Sequence, residues 1–167
     1  LLSALSELPQ LERIRMSSIE LTDIPDGLFD LMSKNRKVCR HLHVPLQSGD
    51  DNVLRRMNRP YTAGEFADFV RHARERIPDV AITTDIMVGF PGETIDEFEN
   101  SYALAKSLKF SRMHVFRYSR RPGTAASELE DDVSDFEKDR RSRQLIELGK
   151  ELSRAFAESF IGKPVSV

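Results

Sequence analysis

Cysteine is nearly missing, with Cys39 the single one in 167 residues. That excludes an internal disulfide, and it excludes a metal cluster built from thiolates of this chain alone. Long apolar runs are missing as well: none approaches the roughly 20 residues that cross a bilayer, and the N-terminus lacks the charged start and apolar core of a secretory signal. A cytoplasmic protein with no membrane partner is the expectation. Charge of one sign is scarce too. The formal net charge is −2, whereas domains that grip nucleic acid mainly through phosphates are basic, so an RNA partner has to be held largely by other means.

What is present, 40% hydrophobic and 31% charged residues, belongs to a soluble chain long enough to bury one core. Four stretches rich in β-branched and apolar residues read as strands: Arg13 to Ile19, His41 to Leu46, Val80 to Val88 and Arg112 to Tyr118. Helical patterns follow them. After a short helix around Asp51 to Met57, Thr62 and Glu65 form a capping box ahead of Phe66, Phe69, Val70, Ala73 and Ile77, one face at the 3.6-residue period. Thr94 and Glu97 repeat the device before Phe98, Tyr102, Ala105 and Leu108, and Ser134 and Glu137 open a long helix that runs to about Phe160.

Strand then helix, repeated, predicts an α/β fold of four parallel strands in sequential order, with outer helices. Four such units are too few to close an eight-stranded barrel. The strand Arg13 to Ile19 is then an exposed sheet edge, expected to be covered by a partner chain, through self-association, or by crystal contacts. The chain opens on Leu1-Leu2-Ser3-Ala4-Leu5 without a methionine, which reads as the last turns of a helix begun upstream.

In parallel α/β structures ligands collect at the carboxyl ends of strands. Gly89 and Gly92 bracket Phe90-Pro91 before a helix N-terminus, which suits either close approach of a ligand or a tight turn. Gln47 and Ser48 can hydrogen-bond a ribose or an amino-acid head group, or simply form an N-cap turn. Asp85, in an apolar strand, needs partners that Thr83 and Thr84 supply only in part. His41, His43 and His114 lack metal-ligand spacing and read as satisfied core or rim residues. Cys39 reads as a small buried hydrophobe. Arg140, Arg141 and Arg143 read as a solvated, ion-paired helix face, while Arg117, Arg120 and Arg121 crowd a strand end where a phosphate can arrive.

Taken in order, RIRMSSIE from Arg13, HLHVPLQSGDDNVLRRMNRPYT from His41, ITTDIMVGFPGET from Ile82 and HVFRYSRRPGTAA from His114 resemble the methylthiotransferase branch of the radical S-adenosylmethionine superfamily. The resemblance covers nearly the whole chain and is closest to the threonylcarbamoyladenosine tRNA enzymes. It implies the C-terminal part of a partial TIM-type (βα)6 barrel over residues 1–133, and over residues 134–167 a long helix closing the barrel and the start, near Ile161, of a linker to an RNA-binding domain.

The reaction it implies splits S-adenosylmethionine at a 4Fe–4S cluster, forms a 5′-deoxyadenosyl radical that abstracts hydrogen from an adenine carbon, and installs a methylthio group next to the anticodon. The resemblance places Gln47, Ser48, Asp85, Ile86, Val88, Gly89, Phe116 and Tyr118 around the cofactor, and Glu20, Arg120 and Arg121 on the tRNA substrate. Both cysteine sets of the family's clusters are missing from this chain, so the segment alone is expected to hold no cluster and to be inactive. Related substrates, isopentenyladenosine in tRNA or a ribosomal protein, stand as alternatives, as does a non-catalytic α/β module that binds a nucleotide or a partner.

Overall fold

The computed structural model describes residues 1–25 and 27–164. Of the linker expected from Ile161 to Val167, residues 165–167 lie outside the described residues. In chain order the elements are α1 (Leu2–Ser6), a 3-10 turn (Leu21–Asp23), α2 (Leu28–Lys34), β1 (His41–His43), α3 (Asp51–Arg56), α4 (Ala63–Arg76), β2 (Ala81–Val88), α5 (Ile95–Leu108), β3 (Arg112–Arg117), a second 3-10 turn (Ala125–Glu128) and α6 (Asp135–Glu158).

The sheet has three strands, all parallel, in the order β1-β2-β3, and not the four expected. The expected first strand makes only isolated parallel bridges, Ile14 to Val38 and Ser18 to His43, on the free side of β1. Two contacts, four residues apart on this segment and five on its partner, hold it alongside without a continuous ladder. The strand expected over His41 to Leu46 is cut to three residues for a local reason: Pro45 has no N–H, the Leu46 N–H turns to Thr84 Oγ1 at 2.9 Å, and pairing resumes at Gln47, whose N–H reaches Asp85 O at 2.9 Å. Gln47 pays for that re-entry with a left-handed φ of 64°.

The helix starts follow their caps. Thr62 with Glu65 and Thr94 with Glu97 form complete capping boxes. Ser134 caps α6, but Glu137 turns its carboxylate to Arg140 and Arg141 instead of back to the cap.

Period-two alternation divides the sheet. Leu42, Val44, Ile82, Ile86 and Val88 point to one face, at most 1% exposed, and pack with Phe66 and Val70 of α4, Phe98 and Ala105 of α5, and Leu145 and Leu148 of α6 in one continuous core. His41, His43, Thr83, Asp85, His114 and Phe116 point the other way. Among the described residues no helix is long and apolar enough to cross a membrane.

Candidate functional site

The inner sheet face carries a polar row set by strand register. Pairing His43 with Thr83, and Asp85 with His114, puts side chains from three strands within reach of one another. His43 Nε2 lies 3.3 Å from Asp85 Oδ2 and His114 Nδ1 lies 3.1 Å from Oδ1, so each carboxylate oxygen meets one imidazole. Thr83 Oγ1 joins His43 Nδ1 at 2.9 Å and His41 Nε2 at 3.2 Å, and Arg15 meets the His41 ring at 3.2 to 3.3 Å. Burial, helped by the charge of Arg15 and by His43, holds the His41 imidazole below its usual pKa and therefore neutral near pH 7.

Asp85 thus has its partners, but they are the two histidines, since Thr84 points to the core and bonds Val44 O at 2.8 Å. His43, Asp85 and His114 also present one donor atom each within 4.8 Å of one another, a two-histidine, one-carboxylate set of the kind that ligates divalent metals. Here the imidazoles and the carboxylate satisfy each other. Below them a cleft of about 390 Å³ runs between Arg15, Ser17 and Ser18 on one side and Arg112 and His114 on the other.

The strand ends sort the expected ligand residues. Gln47 is partly exposed, and its amide makes no hydrogen bond among the described residues. Phe116 keeps half of its surface open on the inner face. Ser48 is different: fully buried, it faces Ser101 of α5 at 3.0 Å, and the N–H of Gly49 donates to the same Ser101 hydroxyl at 2.9 Å. Tyr118 donates its hydroxyl to Ala126 O at 2.9 Å, stacks edge-on to Phe90 and lies under the Lys138 ammonium, which seals its ring in a small second core. Ile86 and Val88 face the helices, so the main chain is all they offer to the inner side.

Gly89 has a φ of 69°, as a turn glycine does, but the space a Cβ needs is taken by Lys138 Cγ of α6. The close approach it permits is to that lysine. The loop after β2 is locked further. Gly89 N–H donates to Glu93 Oε2 at 2.7 Å, and Arg141, 3% exposed, donates to the same carboxylate oxygen at 2.6 Å. Burial pushes the Glu93 carboxyl up, against the pull of those two donors. Arg141 is therefore a buried brace between α6 and the loop, contrary to the solvated face expected; Arg140 and Arg143 do pair on the surface, with Glu137 and Asp139.

Among the expected substrate residues, Glu20 accepts both its bonds from Arg59 Nη1, at 3.0 and 3.2 Å. Arg120 donates to Leu129 O at 2.7 Å, bracing its own loop, and Arg121 is exposed. Cys39 is half-buried just before β1, a strand's length from Gln47.

Sequence reasoning left Arg15 and Arg59 unassigned, and it read His43 and His114 as satisfied, which they are, without identifying Asp85 as the shared partner. The alternation His-x-His in β1, Thr-x-Asp in β2 and Arg-x-His in β3 is the signal that was available: it puts polar groups on one common face.

The description of the radical SAM superfamily matches residues 1–105. A threonylcarbamoyladenosine tRNA methylthiotransferase of Bacillus subtilis is 43% identical over 149 residues, 89% of this chain and 33% of the relative. Its Thermotoga maritima counterpart is 42% identical over 98% of this chain and 38% of its own length. A tRNA-2-methylthio-N(6)-dimethylallyladenosine synthase of Acetivibrio thermocellus is 38% identical over 100% of this chain and 35% of its own. The chain thus spans about a third of the length of these relatives. Among solved structures, the radical SAM enzyme coproporphyrinogen III oxidase of Escherichia coli superposes with a TM-score of 0.67 at 21% identity, over 84% of this chain and 32% of that one.

Proposed function

The chain belongs to the radical SAM superfamily, and from that premise we propose that it is the C-terminal part of the barrel of a tRNA methylthiotransferase. The observation that carries this reading is the match, along 89 to 100% of the chain, to relatives bearing that activity in their names. A cytoplasmic location follows from a tRNA substrate.

In this role the strand ends form one wall of the S-adenosylmethionine pocket. Gln47, held in a strained conformation with a free amide, and Asp85, held by two imidazoles, are the hydrogen-bonding groups, and Phe116 offers a ring face to the adenine. Ile86 and Val88 contribute main chain, while Ser48, Gly89 and Tyr118 hold the wall in place from behind. Glu20 and Arg59 form an acid–base pair at the adjoining end, and on opening they match the ammonium and carboxylate of an amino-acid group. The bound cofactor supplies a methyl group and one-electron chemistry, while this chain orients it and excludes water. The donors here do not fit an iron–sulfur cluster. Cys39 is a single thiol, and such clusters need several, so the thiolates belong to other segments of the protein.

The substrate is threonylcarbamoyladenosine next to the anticodon, with dimethylallyl-type adenosine the second choice. Arg121 remains available for an anticodon-loop phosphate. The reading is tested with the full-length protein, reconstituted anaerobically and given S-adenosylmethionine, reductant and modified anticodon stem-loops. A methylthiolated nucleoside is expected by mass spectrometry, with Gln47→Ala slowing formation of 5′-deoxyadenosine. Absence of methylthiolation on every stem-loop from a fully cluster-loaded protein refutes it.

A further inference from the structure

His43 and His114 stand 42 and 29 residues from Asp85 in the chain, and strand register alone makes the three neighbours. β1, β2 and β3 contribute one each, on the inner face. One donor atom from each, two imidazole nitrogens and a carboxylate oxygen, falls within 4.8 Å of the other two. The nitrogen-to-oxygen separations are shorter, 3.3 Å for His43 and 3.1 Å for His114. Ligands that share a tetrahedral zinc through bonds of about 2.0 to 2.2 Å stand about 3.3 to 3.5 Å apart. The two contacts use different oxygens of Asp85, so the place for an ion is in front of the carboxylate, between the rings. A small movement converts the hydrogen-bonded set into a ligand set, and His114, whose side chain is 45% exposed, is the ring with room to make it.

The groups behind the ligands fit as well. A histidine that ligates a metal donates its other ring N–H to a fixed acceptor, which orients the ring. His43 Nδ1 lies 2.9 Å from Thr83 Oγ1, and that hydroxyl has Leu42 O at 3.4 Å to receive its own proton. A hydroxyl has one proton and two lone pairs, so Thr83 Oγ1 also accepts from His41 Nε2 at 3.2 Å without conflict. In that arrangement the Nε2 lone pair of His43 faces Asp85 Oδ2, and the two repel unless a cation lies between them. Two imidazoles and a carboxylate suit zinc or another divalent first-row transition metal, whereas magnesium and calcium take oxygen ligands. Three protein ligands leave a fourth position, which opens on the cleft that His43 and His114 line.

We propose that His43, Asp85 and His114 form a binding site for a divalent transition-metal ion, with zinc the reference case, that ties the three strands together on the open face of the sheet. The site needs no thiolate. It depends on strand register alone and stands apart from the methylthiotransferase reading.

The test uses the full-length protein with its clusters filled, so that cluster cysteines are not free to take up zinc. The protein is equilibrated with buffered zinc and freed of unbound metal, and the zinc retained is counted by mass spectrometry. One zinc per chain is expected. Thr83→Val, which removes only the acceptor behind His43, should weaken binding about 10- to 100-fold. His43→Ala and His114→Ala should each cost more than that. Zinc X-ray absorption on the wild type, which needs no variant to fold, should show nitrogen and oxygen neighbours at about 2.0 to 2.2 Å with imidazole scattering. Three results overturn the site: no zinc retained by the wild type, zinc with sulfur neighbours at about 2.3 Å, which puts it on cysteines, or retention unchanged in both histidine variants.

Discussion

The two faces of one short sheet differ as sharply as any two parts of the molecule. On the outer face Leu42, Val44, Ile86 and Val88 are wholly excluded from water beneath α4, α5 and α6, and on the inner face Phe116 is half open beside a row of histidines, hydroxyls and arginines. Neighbouring residues of the same strand therefore have unrelated tasks. Transfer of apolar area drives the first set, at roughly 25 cal/mol per Å² buried. The second set adds little to that account, and its polar groups persist where they bond each other or a ligand. The lesson extends to the loop after β2: in one dimension Gly89 looks like ligand machinery and Arg141 like a solvated residue, and in three they join Glu93 in fastening the sheet to α6.

The largest effect should come from that fastening. Arg141→Ala leaves the Glu93 carboxylate buried beside an empty space, and a cost of about 3 to 5 kcal/mol is expected in chemical denaturation; a loss below about 1 kcal/mol would mean that the loop stands without its brace. Next is the sealed face. Ile86→Ala should cost about 3 kcal/mol through lost transfer and a residual cavity. The same denaturation experiment applied to Phe116→Ala, on the open face, should read below about 1 kcal/mol, with the defect appearing in cofactor turnover instead. Comparable losses from Ile86→Ala and Phe116→Ala would erase the distinction drawn between the faces.

Acid should act at the start of α6 in a defined window. Arg140, and then Arg141, hold the Glu137 carboxyl down to about 2. A depressed carboxyl contributes stability that is complete above its ordinary value near 4.5 and is lost as pH falls toward 2. The melting temperature should therefore slope downward across that interval, and Glu137→Gln should flatten the slope. An unchanged slope in the variant would assign the acid sensitivity to other carboxyls.

Much of the scaffold was legible in the residues. Thr62 with Glu65 and Thr94 with Glu97 announced two helix starts because a cap needs only four consecutive residues. Parallel strands were readable from the alternation of strand and helix. The first strand was not, since Arg13 to Ile19 has strand composition but meets β1 at only two points. The site was legible in part. Asp85 and Phe116 stand on the inner face and Gln47 stays partly exposed, whereas Ser48 and Tyr118 were claimed by Ser101 and Ala126, 53 and 8 residues along the chain.

What the sequence by itself determined is the set of short-range facts: caps, turn glycines, the period of the apolar residues, and a family resemblance carried by motifs at strand ends. Only the tertiary structure decided which histidines meet Asp85, that Arg141 is buried, and that Arg15 faces the same cleft as Arg112. The physical reason is range. Backbone capping and side-chain period act within a turn or a strand, while a pair such as His43 and Asp85, 42 residues apart, exists only once register between strands has been set by the burial of the opposite face.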